Sequence, residues 1–265
     1  ASDGTDCRNY GVLDGIPECK RMMASMLGCK PEMIMTGGTS SLNMMFDTIS
    51  CFMNTPLVPD APAWALVPDR KFLCPVPGYD RHFGVTEYFG FEMIPVPMDE
   101  NGPDMDMVEE LVKDPSVKGM WCVPKYSNPD GVVYSEEVIY RIANLKPAAP
   151  DFLLMWDNAY CVHEFDGDFV PFTNILEACR IAGNPDMVFE FASTSKITFP
   201  GAGVGFFGAS EANVEFIRKQ IDAEAISWDK MNMLRHVRFF GSAQGILDLM
   251  DKHAALLRPK FDAVL

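Results

Sequence analysis

The chain has 265 residues, 48% of them hydrophobic, which is enough for one large core or for a large domain with part of another. Its net charge of −15 at pH 7 argues against nucleic acid, because phosphate-backbone binding needs clustered Lys and Arg, and no apolar run reaches the length of a membrane span. Eight scattered cysteines without a CxxC pair read as free thiols of a reducing, cytoplasmic compartment, and His163-Glu164 lacks the second histidine of a zinc-hydrolase motif, so no metal site is expected.

After an N-terminal segment, 1–29, the apolar runs 33–36, 71–76, 91–96, 117–123, 152–156 and 187–192 have the length of buried strands. Between them, 40–53, 80–88, 104–113, 135–145 and 173–182 read as helices, with Asp104 and Ser135 as N-caps. The stretch 54–70, with Pro56, Pro59, Pro62 and Pro68, reads as a long loop. This alternation predicts an α/β fold, a three-layer αβα sandwich whose mostly parallel sheet is covered on both faces. A further strand, 203–209, follows Lys196 after only a turn. So short a connection cannot cross over to a parallel neighbour, so this one strand is expected to be antiparallel. The stretches 211–226 and 244–265 read as helices, the last without a stop signal. The expected division is therefore an N-terminal segment 1–29, a large domain 30–245, and 246–265 as the start of a helix leading into a domain beyond.

Chemistry-bearing residues cluster just after the predicted strands, at the edge where open parallel sheets bind ligands. Thr36-Gly37-Gly38-Thr39-Ser40-Ser41 lies between a strand and a helix, where backbone amides, hydroxyls and the helix dipole can cradle a phosphate. Tyr79 follows Pro75-Val76-Pro77-Gly78 and reads either as a stacking ring for a flat heterocycle or as a loop tyrosine packed on the core. Asn128, in Pro124-Lys125-Tyr126-Ser127-Asn128-Pro129-Asp130-Gly131, is either a donor to a ligand oxygen or part of a plain Asn-Pro turn. Asp157-Asn158-Ala159-Tyr160 offers a carboxylate that either caps its own turn or faces a protonated ring nitrogen. Ser193-Thr194-Ser195-Lys196 sets a lysine among small hydroxyl residues, ahead of Pro200-Gly201. A phosphate cradle, a stacking ring, an Asn, an Asp–Tyr pair and then a lysine are together what pyridoxal 5′-phosphate needs.

These motifs resemble those of the fold-type I pyridoxal-phosphate aminotransferases of class I/II. Asn128-Pro129-x-Gly131, Asp157-x-Ala159-Tyr160 and Ser193-x-Ser195-Lys196 match the family signatures in order. The phrases VPGYDRHF, WCVPKYSNP and FASTSKITFPGAGV are most similar to the bacterial subgroup Ic aspartate aminotransferases. The resemblance implies that Lys196 carries the cofactor as a Schiff base and that Gly38, Thr39, Ser40 and Ser193 hold its phosphate. It also implies that Tyr79 stacks on the ring, Asn128 and Tyr160 bond its phenolic oxygen, and Asp157 pairs with its nitrogen. Tyr10, in Arg8-Asn9-Tyr10-Gly11, would reach the phosphate of a neighbouring subunit, giving a homodimer with shared active sites. Gly203 stands where most of the family has an arginine for the phosphate, and Asp130 replaces the usual threonine of the Asn-Pro turn.

The activity implied is ping-pong transamination between aspartate and 2-oxoglutarate, with Lys196, Asp157 and Tyr160 as the catalytic set. Arg81 and Asn128 are candidate substrate contacts, Arg81 for a distal carboxylate unless it is a plain surface arginine. Lys230 and Arg235 are weaker candidates for substrate or phosphate. The same cofactor cage also serves a lyase or decarboxylase, and the fold also occurs as an effector-sensing domain of transcription regulators.

Overall fold

The computed structural model of the chain describes residues 1–164 and 172–264. Among them, eight strands form one sheet: β1 (Ile34–Thr36), β2 (Lys71–Val76), β3 (Glu92–Asp99), β4 (Gly102–Pro103), β5 (Val117–Cys122), β6 (Leu153–Asp157), β7 (Val188–Ser193) and β8 (Gly205–Gly208). Their order is β1-β8-β7-β6-β5-β2-β3-β4. From β3 through β2, β5 and β6 to β7 every pairing is parallel. β8 is antiparallel to both β7 and β1, as its short connection to β7 requires, so β1 runs in the same sense as β7. The sequence led us to expect a single antiparallel strand, but there is a second. β4 pairs back onto β3 through a tight turn in which Asp99 Oδ1 accepts from the Asn101 amide at 2.7 Å. A two-residue strand carries no periodicity that a sequence window can register.

The helices are α1 (Pro17–Leu27), α2 (Ser41–Asn54), α3 (Asp80–Tyr88), α4 (Met105–Leu111), α5 (Glu136–Ala143), α6 (Ile175–Ile181), α7 (Glu211–Ile221), α8 (Lys230–Phe240) and α9 (Ala243–Asp262). Ser40, Asp104, Ser135 and Asn174 cap α2, α4, α5 and α6 by accepting from the amide three residues on. Two helices, α1 and α8, lie where the sequence reading placed none. The signals for α1 were present: Pro17 opens it, and Gly28, at φ 63°, closes it in the left-handed region. Its apolar stripe mixes Cys19, Met22 and Met23 with Ala24 and a single leucine, Leu27, and it packs with α8 and α9 in a core around Ile16, Met233 and Met250. α7 ends at Ile221, short of the expected 226, and Leu265, the last residue of the expected terminal helix, lies outside the described residues.

The sheet is covered on both faces. Val188, Leu154 and Met120 pack under α5 and α6, whereas Phe189, Phe191, Phe207 and Phe72 pack under α2 and α7. Adjacent residues of β7 thus enter opposite cores, as the pleat dictates, and each fully buried phenylalanine contributes ~2–3 kcal/mol. The proline-rich loop 54–70 is pinned from inside. Trp64 Nε1 donates to Asp151 Oδ2 at 2.9 Å, and buried Lys118 donates to the other oxygen at 2.8 Å.

Candidate active site

The topology brings five of the motifs to one edge. β2, β5, β6 and β7 are neighbours and parallel, so the loops after them, with Tyr79, Asn128, Asp157–Tyr160 and Lys196, leave the sheet side by side. β1 runs the same way, and the Gly37–Ser40 turn after it meets the start of β8 at that edge. The chain adds β3 on one side of β2 and then β5, β6 and β7 on the other, so the switch point lies between β2 and β5. A narrow crevice there is lined by Tyr79, His82, Trp121, Ser127 and Asn128.

Asp157 is the last residue of β6 and is buried. His82 donates from Nε2 to Asp157 Oδ2 at 3.0 Å, while Oδ1 is buried with no hydrogen-bond partner among the described residues. His82 is itself fixed. Its ring lies flat on Trp121, 4.3 Å between centroids at 5°, and Tyr79 meets it edge-on at 5.2 Å. Trp121 Nε1 donates to Thr86 Oγ1, which donates to the His82 carbonyl, both at 2.8 Å. The sequence reading gave His82 and Trp121 no role. His82 lies one helical turn after Tyr79, and that spacing, next to a stacking candidate, was the available signal. A buried carboxyl group held from one side, with its other oxygen unpartnered among the described residues, suits a cationic N–H donor.

The cradle and the lysine loop are joined by their backbones. Gly37 N donates to Gly205 O and Gly205 N to Gly38 O, each at 2.8 Å, and Ser195 Oγ donates to Thr39 O at 3.0 Å. A Cβ on Gly203 would come within 2.5 Å of Ser195 Oγ and 2.7 Å of Thr39 O. The position where the family resemblance expects an arginine is therefore the point at which the two loops touch. Gly37, rather than Gly38, is the crowded glycine of the cradle: its Cβ would meet Met44 Sδ at 2.4 Å, whereas at Gly38 the nearest contact is an ordinary 3.8 Å. Ser40 spends its hydroxyl on Asn43, donating to Oδ1 at 2.8 Å, so Ser40 closes α2 and leaves the helix dipole aimed over Gly38 and Thr39. Ser193 Oγ accepts from the Ser195 amide at 3.4 Å.

Lys196 is exposed, with Nζ 5.0 Å from the centre of the Tyr160 ring. Burial, followed by the Asp157 and Tyr79 charges, raises the Tyr160 phenol above its ordinary range, so it stays a donor. His163 packs edge-on against Tyr160 at 5.4 Å and reaches the Lys196 carbonyl with Nε2 at 3.4 Å. α8 braces the same loop from behind. Asn232 Nδ2 donates to the Ala202 and Gly203 carbonyls at 3.0 Å, and Thr198 Oγ1 meets His236 Nε2 at 2.9 Å.

Asn128 is exposed on a loop whose Tyr126 sits at φ 52°, a strained value for a tyrosine, held by its hydroxyl donating to Glu164 at 2.6 Å. Gly131 closes that turn at φ 74°, which explains why glycine follows Asp130. Arg81 is exposed at the start of α3 and makes no ion pair among the described residues. Tyr10 is 77% exposed, away from the other motifs in sequence and free to meet another molecule. Lys230 is buried and donates to the Gly11 carbonyl at 2.7 Å, so it anchors the N-terminal segment. Arg235 lines a separate cleft with Phe199, Phe239 and His253. Chemically, the edge offers an anion cradle, a shaped aromatic and imidazole wall, an unpartnered buried carboxylate oxygen and an accessible amine.

Comparisons with known proteins agree with this architecture. An aspartate aminotransferase of Corynebacterium glutamicum is 50% identical over 268 residues, covering 100% of this chain and 61% of that protein. The chain thus spans about three fifths of the length of this relative, and the same share of a 48% identical aminotransferase of Mycolicibacterium smegmatis. The crystal structure of an aspartate transaminase from Corynebacterium glutamicum superposes with a TM-score of 0.95 at 49% identity, over 99% of this chain and 62% of that one. An alpha-aminoadipate aminotransferase from Thermus thermophilus shares the fold at 20% identity, with a TM-score of 0.75 over 97% of this chain and 62% of that one. The family model described as aspartate amino-transferase matches residues 1–265, and the chain belongs to that family.

Proposed function

We propose that this chain is the cofactor-binding part of a pyridoxal-5′-phosphate-dependent aminotransferase that exchanges the amino group between aspartate and 2-oxoglutarate. The observation that carries the reading is Asp157: buried at a strand end, bonded by His82 through one oxygen and unpartnered at the other, on the same edge as an accessible lysine. When bound, the cofactor supplies an electron sink that stabilises the carbanion left when the substrate Cα–H bond breaks.

The remaining chemistry belongs to the chain's own residues. Asp157 Oδ1 would accept a hydrogen bond from the protonated ring nitrogen and hold that proton in place, while His82 orients the carboxylate. Gly38, Thr39 and Ser40 would hold the phosphate with their backbone amides at the α2 N-terminus, and Thr39 and Ser193 with their hydroxyls, so that neutral donors offset the arginine missing at Gly203. Tyr79 covers one ring face, and Asn128 and Tyr160 donate to the phenolic oxygen. Lys196 anchors the cofactor and, once free, accepts the substrate Cα proton at Nζ as general base. Arg81, exposed beyond Tyr79, takes the distal carboxylate of a dicarboxylic substrate. Tyr10 reaches the phosphate site of a second copy, making a cytoplasmic homodimer with shared sites. In this reading residues 30–245 form the cofactor domain, between the segment 1–29 and the helix entering a further domain at 246–265.

The test is spectroscopic. Pyridoxal phosphate added to the wild type should give a new visible absorbance band, and borohydride should then fix a pyridoxyl mass on the peptide containing Lys196. Lys196→Ala should give neither. Aspartate should discharge the band with release of oxaloacetate, whereas release of carbon dioxide would point to a decarboxylase. A wild type that takes up no pyridoxal phosphate overturns the reading.

A further inference from the structure

Glu190 is a carboxyl in the middle of the molecule that the proposed chemistry does not use. It lies on β7 between Phe189 and Phe191, is 4% exposed, and makes no ion pair among the described residues. Its ladder partners are Trp156 on β6 and Gly208 on β8. Gly208 contributes no side chain, and Leu27, Leu176 and Cys29 crowd the space beside it. Among the described residues the hydrogen-bond partner of Glu190 is Asn158, whose Nδ2 donates to Oε1 at 2.7 Å. Asn158 immediately follows Asp157 and is buried, and its amide donates to the Phe191 carbonyl at 2.8 Å.

The two atoms left over on this pair are Glu190 Oε2 and Asn158 Oδ1, both buried and without a hydrogen-bond partner among the described residues. Both are acceptors if Glu190 is ionised, and neither can then satisfy the other. One proton on Oε2 makes it a donor, and Asn158 Oδ1 is the acceptor that lacks one. We propose that Glu190 and Asn158 form a neutral carboxylic acid–amide pair, and that Glu190 is thereby the positioning residue for the Asp157–Tyr160 segment. Among the described residues, the titratable groups that sense Glu190 are three thiols, Cys29, Cys161 and Cys179, each pushed up to about 12 by burial first and Glu190 second. They remain neutral and offer no counter-charge. Burial likewise pushes the Glu190 carboxyl up to about 7, which favours the protonated form below neutrality.

The pair ties the strand that leads to Lys196 to the segment that carries Asp157 and Tyr160. Losing the proton leaves an anion facing an amide oxygen in a dry core, so the segment must shift or admit water. Gln at position 190 is a permanent copy of the neutral acid, since its amide can accept at one atom and donate at the other. The positioning role rests on the functional reading above, whereas the protonation state does not.

Two arms test the proposal on the full chain. Without cofactor, the infrared difference between wild type and Glu190→Gln should show a protonated carboxyl stretch under acidic conditions that fades as pH rises through about 7. Absence of that band overturns the pair. In pyridoxal phosphate titrations followed by absorbance, wild-type affinity should weaken across the same pH range. Glu190→Gln should stay within about twofold and lose this dependence. Glu190→Ala and Asn158→Ala should each weaken affinity about tenfold, and the double variant no further. If Glu190→Gln behaves like Glu190→Ala, or the two alanine losses add, the positioning role is wrong. A wild type that takes up no cofactor sinks the functional reading instead and leaves the infrared arm to decide the state of Glu190.

Discussion

Gly203→Ala should separate the lysine loop from the phosphate cradle. The added methyl would stand 2.5 Å from Ser195 Oγ and 2.7 Å from Thr39 O. The serine can rotate away, but only by giving up its bond to Thr39 O, at a cost of ~1 kcal/mol. The carbonyl cannot rotate, because Gly37 and Gly205 pin the turn on either side. Overpacking against fixed backbone costs ~1–3 kcal/mol, so the total loss is about 2–4 kcal/mol. Urea unfolding should show a lower midpoint with an unchanged slope. Gly201→Ala is the control, since a Cβ there meets nothing within 4 Å, and it should stay within about 0.5 kcal/mol of wild type. Displacing the lysine loop by about 1 Å should also weaken pyridoxal phosphate capture more than stability alone explains. If Gly203→Ala is as stable as Gly201→Ala, the close approach of the two loops is not what requires glycine. Gly203→Arg should be worse than alanine, although the family resemblance expects an arginine at that position.

Three further outcomes follow from the geometry. Asp157→Asn keeps the shape but removes the charge, and it should slow conversion of the bound cofactor by aspartate about tenfold to a hundredfold, read by stopped-flow absorbance; an unchanged rate would remove Asp157 from the chemistry. Lys118→Met leaves Asp151 buried with Trp64 as its one side-chain partner among the described residues, and chemical denaturation should record a loss of ~3–5 kcal/mol. Burial, joined by the Lys196 and Lys125 charges, pushes His163 down to about 4, although its bond to the Lys196 carbonyl opposes this. A histidine depressed in the folded state contributes stability above its ordinary pKa of about 6.5, lost as pH falls through about 4, with a full amplitude of ~3 kcal/mol. His163→Gln should flatten that acid limb in urea midpoints measured across the window; a limb of undiminished slope would assign it to other groups.

Much of the fold was legible in sequence because its signals are local. β2 and α3 lie where apolar run length and periodicity put them, and Ser40, Asp104 and Ser135 cap as their side-chain chemistry dictates. α1 escaped notice because its stripe carries a single leucine among methionine, cysteine and alanine, and β4 because two residues make no pattern. The site motifs were visible for the same local reason: each sits just past its own strand, and a parallel sheet aligns those ends.

What the sequence could not supply is which side chains meet across the sheet. His82 and Asp157 are 75 residues apart and bond only because β2 and β6 flank β5, whose Trp121 presents the flat surface that holds the imidazole. Glu190 reads as a polar interruption in an apolar strand, and its meeting with Asn158 depends on the register of β6 against β7. Gly203 reads as a missing arginine, whereas the structure makes it the contact between two loops 164 residues apart. The sequence by itself determined every strand but β4, most of the helices and the set of groups gathered at the carboxyl edge, because those follow from the chain's own periodicity. Tertiary structure alone decided the partners of Asp157, Glu190 and Gly203, because contacts between strands depend on strand order and register, which no local window contains.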